Sequence, residues 1–217
     1  MLVVRSAVVG PFAMNAYAVA CGETGEALLV DPGAEVPRVL ALLEPGWRVG
    51  RILLTHGHVD HAAGAAEARA ATGAPITIHA ADAPWLEALP RQAEIFGFEP
   101  APPPEIAAHH ADGEVVQVGR VEGRLLHTPG HSAGSCCLFF PSEKLLFTGD
   151  TLFAGSVGRT DLPGGDLAAL ERSIRERLFP LGDDVTFLPG HGPRGTLGDE
   201  RRGNPFVGEA PRRGRFV

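Results

Sequence analysis

The segment Thr55-His56-Gly57-His58-Val59-Asp60-His61 places three imidazoles and a carboxylate directly after the apolar run Arg51-Ile52-Leu53-Leu54. Neutral imidazole and carboxylate are ligands that borderline cations such as Zn²⁺ accept. Without a cation, titratable groups this crowded would resist burial and repel one another. If the strand ends at Thr55, His56 and His58 alternate in an extended segment and project to the same side. Asp60 and His61 then fall at the start of the Ala-rich run 61–72, so two pairs could serve two ions. That run reads as a helix with Asp60 as its N-cap and Gly73 and Pro75 as stop signals. A cation at the positive end of a helix needs anionic ligands to offset the dipole, which is a reason for Asp60 to be both cap and ligand.

Three further segments read as a short apolar strand ending in a turn that presents one ligand-type side chain. Leu125-Leu126-His127-Thr128-Pro129-Gly130-His131 offers His131, Leu145-Leu146-Phe147-Thr148-Gly149-Asp150 offers Asp150, and Val185-Thr186-Phe187-Leu188-Pro189-Gly190-His191 offers His191. Strand ends on Gly/Pro turns are where sheets build sites, because the sheet fixes position and glycine lets backbone approach closely. Each segment alone reads more simply as structural. Their joint order after the His-rich motif is the informative signal.

Together these segments resemble the metallo-β-lactamase superfamily and, within it, glyoxalase II, the hydroxyacylglutathione hydrolases, in its short single-domain bacterial branch. The resemblance runs from about Asn15 to Phe206. It rests on Val30-Asp31-Pro32-Gly33, the Thr55–His61 motif, Thr128-Pro129-Gly130-His131, Thr148-Gly149-Asp150, Gly158-Arg159-Thr160-Asp161 and Pro189-Gly190-His191-Gly192-Pro193. It implies an α+β fold, a four-layer αββα sandwich of two mixed sheets with outer helices and the metals at one edge. It also implies two divalent ions, zinc or iron or both, with manganese as another option. His56, His58 and His131 would hold the first and Asp60, His61 and His191 the second. Asp150 would bridge them together with a water or hydroxide, which makes Asp60 and Asp150 the catalytic carboxylates. Asp31 matches an aspartate that supports ligand geometry from behind, although an Asp-Pro-Gly turn explains it equally well. Arg159 and Asp161 read either as substrate contacts or as an ion pair pinning a loop. The short stretch after His191 leaves no room for the helical glutathione-binding domain of the longer glyoxalase II enzymes, so the expectation is one domain over residues 1–217.

Composition sets bounds on the rest. The chain has 217 residues, is 44% hydrophobic and carries a formal net charge of −7. It can cover one sizeable core. The acidic balance argues against a general nucleic-acid surface, which needs basic stripes to displace counterions; Arg201-Arg202 and the tail Arg212-Arg213-Gly214-Arg215 read as solvated charge. No apolar run approaches the roughly 18 residues of a membrane span, and Met1-Leu2-Val3-Val4-Arg5 lacks a signal-peptide pattern, which together predict a cytoplasmic protein without a membrane partner. Cys21, Cys136 and Cys137 make an odd count with an adjacent pair, so they read as core thiols rather than as disulfides. His79, His109, His110 and His127 match no ligand motif. They read as solvated or structural imidazoles, with His127 close enough to the His131 loop to support it.

Periodicity predicts strands near 2–9, 14–20, 26–30, 51–54, 75–79, 114–118, 121–127, 135–140, 144–148 and 185–188. It predicts helices near 34–44, 61–72, 82–89 and 166–178. The last is the clearest, with Leu167, Leu170, Ile174 and Leu178 on one face and Asp166 as its cap after Gly164-Gly165. Pro90 to Ala111, containing Pro100-Ala101-Pro102-Pro103-Pro104, reads as a loop that is either a lid or a connector.

The chemistry so implied is metal-assisted hydrolysis of a small S-2-hydroxyacyl thioester, such as S-lactoyl glutathione or its counterpart on another thiol, by a hydroxide held between two ions roughly 3.5–4 Å apart. Lactones and activated esters are open to the same chemistry. The main alternative is an iron-dependent persulfide dioxygenase using His56, His131 and Asp150 as a facial triad. A metal-stabilised binding domain without catalysis is the alternative outside enzymes. A β-lactamase and a phosphodiester nuclease fit less well, the first for want of a signal peptide and the second for want of positive charge.

Overall fold

In the computed structural model, which describes residues 1–99 and 102–209, the apolar runs form two mixed sheets of six strands each. The first has the spatial order β1 (Leu2–Val9), β2 (Met14–Cys21), β3 (Glu26–Val30), β4 (Arg48–Leu53), β5 (Ile76–His79) and β6 (Ile106–His110). Its first two pairings are antiparallel and the remaining three parallel. In the second, β7 (Val115–Val118), β8 (Val121–His127), β9 (Cys136–Phe140) and β10 (Leu145–Gly149) form an antiparallel run. Parallel to β10 lies β13 (Thr186–Pro189), edged by the short β14 (Gly195–Thr196). A small hairpin of β11 (Leu152–Phe153) and β12 (Ser156–Val157) follows β10.

The period of two along the strands divides their side chains between layers. Tyr17, Val19, Cys21, Leu28, Val30 and Leu53 of the first sheet meet Leu125, Cys136, Leu138, Phe140 and Phe147 of the second in one buried cluster. The intervening residues Ala16, Ala18, Leu29, Ile52, Ile76 and Ile78 face the opposite way and pack with the helical segments on the outer side of the first sheet. Those segments are α1 (Val36–Leu40), α2 (Val59–Ala62), α3 (Ala65–Thr72), α4 (Ala83–Glu87) and α5 (Leu89–Phe96). Outside the second sheet, Cys137, Leu146 and Phe187 cover Leu170, Ile174, Leu178 and Leu197 from α6 (Leu167–Arg172), its wider-wound continuation Ser173–Leu178 and α7 (Leu197–Gly203). This is the αββα sandwich expected from the resemblance. All three strand cysteines are buried, Cys21 and Cys136 between the sheets and Cys137 on the outer side of the second, and all three thiols are free.

Several local expectations change. Asp60 lies within the first turn of α2, and His58, with extended backbone, occupies the cap position. The expected helix over 61–72 is two helices that break at Gly64, whose N–H donates to the Gly33 carbonyl at 3.0 Å and where a Cβ would lie 2.2 Å from the Pro32 carbonyl oxygen. The helix expected over 34–44 is regular only over Val36–Leu40. The stretch from Pro90 is not a loop throughout. Pro90 sits in the first turn of α5, where no N–H partner is required, and Leu89, Gln92 and Ala93 are buried. The chain re-enters the first sheet as β6. Residues 100 and 101 of the proline-rich run, and the arginine tail 212–215, lie outside the described residues. Asp166 caps α6 as expected, accepting from the Ala169 N–H. None of the described helices is long and apolar enough to cross a membrane.

Phe147 packs edge-on against Tyr17 and Phe140, with ring centroids 5.2 and 6.2 Å away, between the two sheets. Phe147→Ala is expected to destabilise the fold by about 3–5 kcal/mol. Urea denaturation checks this through a lowered midpoint at unchanged slope.

Candidate metal centre

Five strand exits meet at one edge of the sandwich. The ends of β3 and β4 supply Asp31 and the Thr55–His61 stretch, while the ends of β8, β10 and β13 lead to His131, Asp150 and His191. The two sheets are tied there by backbone, with the Cys136 N–H donating to the Thr55 carbonyl at 2.9 Å and the Asn15 N–H to the Gly190 carbonyl at 2.7 Å. All seven ligand candidates read from the sequence arrive within this edge. They form three overlapping groups whose donor atoms lie within 4.8 Å of one another: His56, His58 and His131; His56, His61 and Asp150; and Asp60, His61 and His191.

The second ring nitrogen of each histidine shows how the donors are aimed. Asp31 accepts from the Thr55 N–H at 2.7 Å on one carboxylate oxygen, and on the other from the Thr55 hydroxyl at 2.7 Å and from His61 Nδ1 at 2.9 Å. Because the Thr55 hydroxyl donates to Asp31, its oxygen is free to accept from His56 Nδ1 at 3.1 Å. His131 Nδ1 donates to the Arg159 carbonyl at 2.8 Å and His191 Nδ1 to the Phe12 carbonyl at 3.0 Å. In four rings Nδ1 is thus engaged and Nε2 points inward, the arrangement that orients imidazole ligands elsewhere. His58 is reversed: its Nδ1 lies 2.8 Å from His131 Nε2, and its ring stands perpendicular to the Trp85 indole with centroids 4.5 Å apart.

Two triads result, joined by Asp150. His131 Nε2 lies 3.2 Å from His56 Nε2, while His191 Nε2 lies 3.1 Å from Asp60 Oδ2. Asp150 reaches His61 Nε2 at 3.2 Å through Oδ1, and His131 and His191 at 3.6 Å each through Oδ2. His61 Nε2 and Asp150 Oδ1 face each other without hydrogen-bond geometry, and each is buried with no partner. Burial without a partner costs a polar atom heavily. A divalent cation satisfies such a set of inward nitrogens and carboxylate oxygens, so the residues present fit one.

The electrostatics divide the groups. Burial, reinforced by the surrounding imidazoles His61, His58 and His131, holds His56 well below its ordinary value. Burial and the neighbouring His131 push His58 down to about 3. Burial alone would depress His61, but Asp150, Asp60 and Asp31 together hold it well above the usual imidazole range. For Asp150 burial works upward, and the imidazoles of His61, His131 and His191 outweigh it to keep the carboxyl far below the normal range. His56 and His58 therefore offer neutral nitrogen, while the second triad balances imidazole against carboxylate.

The remaining expectations also find their places. Asp31 is more than a turn residue: it holds φ +50° and fixes two rings. Arg159 and Asp161 form an exposed two-point ion pair at 2.7 and 2.8 Å, and the Arg159 backbone orients His131. His127 supports the His131 loop through a bond to the Ala133 carbonyl, 2.9 Å, and stacks on His79. Buried His110 bonds the Leu54 carbonyl, and burial lowers its pKa to about 4. Three residues that sequence reasoning passed over border the site: Phe12, whose ring packs on Phe96 and Phe98, Gln92 and Asp82. A cavity of about 400 Å³ opens between the donors and the side chains of Phe12, Phe96, Arg159 and Leu162.

Because Asp150 reaches both triads, Asp150→Ala is expected to lower bound metal in both, whereas His131→Ala or His191→Ala lowers one. His109→Ala, on an exposed strand position outside the cluster, retains the wild-type content. Elemental analysis of the folded variants distinguishes these outcomes.

Comparison with known proteins agrees with this geometry. The family model of the metallo-beta-lactamase superfamily matches residues 9–191. Hydroxyacylglutathione hydrolase GloC of Haemophilus influenzae is 38% identical over 189 residues, 83% of this chain and 87% of that protein. Among solved structures, TTHA1623 in a di-iron-bound form is 39% identical with a TM-score of 0.83, covering 93% of this chain and 99% of its own. The BLEG-1 B3 metallo-beta-lactamase is 32% identical with a TM-score of 0.87, covering 94% and 99% respectively. With a family match across most of its length and ligand-type residues gathered at the sandwich edge, the chain belongs to the metallo-β-lactamase superfamily.

Proposed function

We propose that this protein is a metal-dependent hydrolase of thioesters, with S-2-hydroxyacyl thioesters such as S-lactoyl glutathione, or the same acyl group on another small thiol, as its substrate class. The observation that carries this reading is the wall of the 400 Å³ cavity. It presents His58, Asp60, His131, Asp150 and His191 and, among the described residues, no hydroxyl, thiol or amine side chain able to attack an acyl group. The attacking group is then water. Divalent ions held by His56, His58 and His131, by Asp60, His61 and His191, and by Asp150 between them would supply Lewis acidity and bring the pKa of water toward neutrality.

The chain's own residues supply the rest. Asp150, held ionised by its three imidazole neighbours, keeps negative charge between the triads. Phe12, Val59, Phe96 and Leu162 make one side of the cavity apolar, which shelters the acyl group from bulk water and strengthens electrostatic interactions inside. A thiolate leaving group has a pKa of about 8.5, so it departs without a strong general acid. The GloC relative's name supports the acyl class. Arg159 is the only guanidinium on that wall among the described residues, and Asp161 already occupies its fork. It offers a thiol carrier's carboxylates only a weak hold.

Zinc-reconstituted protein is expected to cleave S-lactoyl glutathione without oxygen, because hydrolysis needs no redox-active metal. The decisive assay is anaerobic thioester turnover beside oxygen uptake with glutathione persulfide and hydrolysis of a β-lactam. Oxygen consumption confined to the iron form, without thioesterase activity, would replace this reading with a dioxygenase. β-Lactam turnover without thioesterase activity would replace it with the activity named for BLEG-1.

The weak hold at Arg159 gives a separate expectation. Truncating the thiol carrier raises KM several-fold and leaves kcat nearly unchanged, since only uniform binding is lost. Steady-state kinetics with glutathione and shorter thiol esters test this, and a collapse of kcat would reveal a carrier interaction that acts on the chemical step.

A further inference from the structure

Asp82 closes the short helical turn after β5 and is fully buried. It stands at the cap position of α4, yet its carboxylate makes no capping bond. Both oxygens are instead directed at the two loops that carry the first triad. Oδ2 accepts from the Gly57 N–H at 2.9 Å and from the Ser132 hydroxyl at 2.7 Å, and Oδ1 from the Gly134 N–H at 2.6 Å. Gly57 separates His56 from His58, and Ser132 follows His131. One carboxylate thus ties together the backbone on which all three nitrogen donors are mounted.

The approach is close enough to exclude side chains. A Cβ at Gly134 would lie 2.7 Å from Asp82 Oδ1, and one at Gly57 would lie 2.9 Å from the Asp82 carbonyl oxygen and 2.5 Å from Trp85 Cβ. Gln92 adds a second hold from α5, accepting from the Val59 N–H at 2.9 Å and donating to the Gly57 carbonyl at 3.2 Å. The other triad has different supports: Asp31 for His61 and the Phe12 carbonyl for His191.

We propose that Asp82 is a positioning residue for the His56–His58–His131 half-site, so that its loss weakens the ion held there and spares the ion held by Asp60, His61 and His191. This rests on the two-ion reading above. The requirement is for a carboxylate, because three donors converge on it and it is acceptor-only. An amide in its place would turn its NH₂ toward one of those donors.

The test measures zinc stoichiometry and affinity by chelator competition on the full chain, with circular dichroism and thermal melting of the metal-free protein to follow the fold. Asp82→Asn is expected to retain one tight ion and to bind the other about 10–100-fold more weakly, the usual scale for residues that support ligands. Added to His191→Ala, which keeps the first half-site, it should weaken the remaining ion. Added to His131→Ala, it should change nothing further. Ser132→Ala removes one of the three bonds and should act in the same direction more mildly; it carries the test if Asp82→Asn does not fold. Asp82→Asn with both ions bound as in wild type, equal weakening of both ions, or unchanged first-site affinity in Ser132→Ala with Asp82→Asn unfolded would overturn the proposal. Wild-type protein that takes up no divalent ion would overturn the metal reading itself, a failure separable from that of Asp82.

Discussion

The Asp31 carboxylate is the interaction on which the rest of the site depends. It gathers the Thr55 N–H, the Thr55 hydroxyl and His61 Nδ1, and through the hydroxyl it reaches His56. One side chain therefore decides which nitrogen faces the site on two rings, one in each triad. The cost is local: Asp31 adopts a left-handed backbone that most non-glycine residues avoid. Such strain persists where surrounding contacts over-determine it, and here β3 and β4, paired in parallel, hold Asp31 and Thr55 at neighbouring strand ends. The sheet supplies the rigidity that turns a turn residue into a fixed acceptor.

Gathering ionisable groups in one volume also requires space without side chains. At Gly190 a Cβ would stand 2.3 Å from Asp150 Oδ1 and 2.5 Å from His61 Cε1, and at Gly158 it would stand 1.9 Å from the Asp150 carbonyl oxygen. The glycines beside the candidate ligands are therefore steric requirements of this arrangement. They work together with the strand pairing: β10 and β13 are adjacent and parallel, so Asp150 and His191 leave the sheet side by side, while the Cys136–Thr55 bond brings the other sheet's donors to the same edge.

The candidate ligands were legible because they are local. His56, His58, Asp60 and His61 share one stretch, and His131, Asp150 and His191 each follow an apolar strand with a Gly turn. The resemblance then supplied the layered architecture, which periodicity alone leaves open. What stayed illegible depends on distant partners. Asp82 meets Gly57 and Ser132 from 25 and 50 residues away, and nothing in His79-Ala80-Ala81-Asp82 distinguishes a brace from a helix cap. Gln92 was hidden by Pro90, whose usual meaning as a breaker fails in a first helical turn. Asp60 had two uses open to it, and its orientation toward His191 leaves the cap position to His58. The helix break at Gly64 likewise goes with contacts to Pro32 and Gly33, tertiary contacts that the Ala-rich run could not announce.

Phe12 and Arg159 each serve the centre twice, and by different atoms. Their main-chain carbonyls fix His191 and His131, and both residues line the cavity. A carbonyl oxygen is common to every amino acid, so either side chain can be exchanged without removing the acceptor that aims the ring. The same separation holds for Phe96 and Leu162, which line the cavity and donate nothing to the triads. Substrate preference can thus drift through these positions while the candidate donor atoms stay where they are. The fold keeps its chemistry in the strand exits and leaves its selectivity to side chains that can be replaced one at a time.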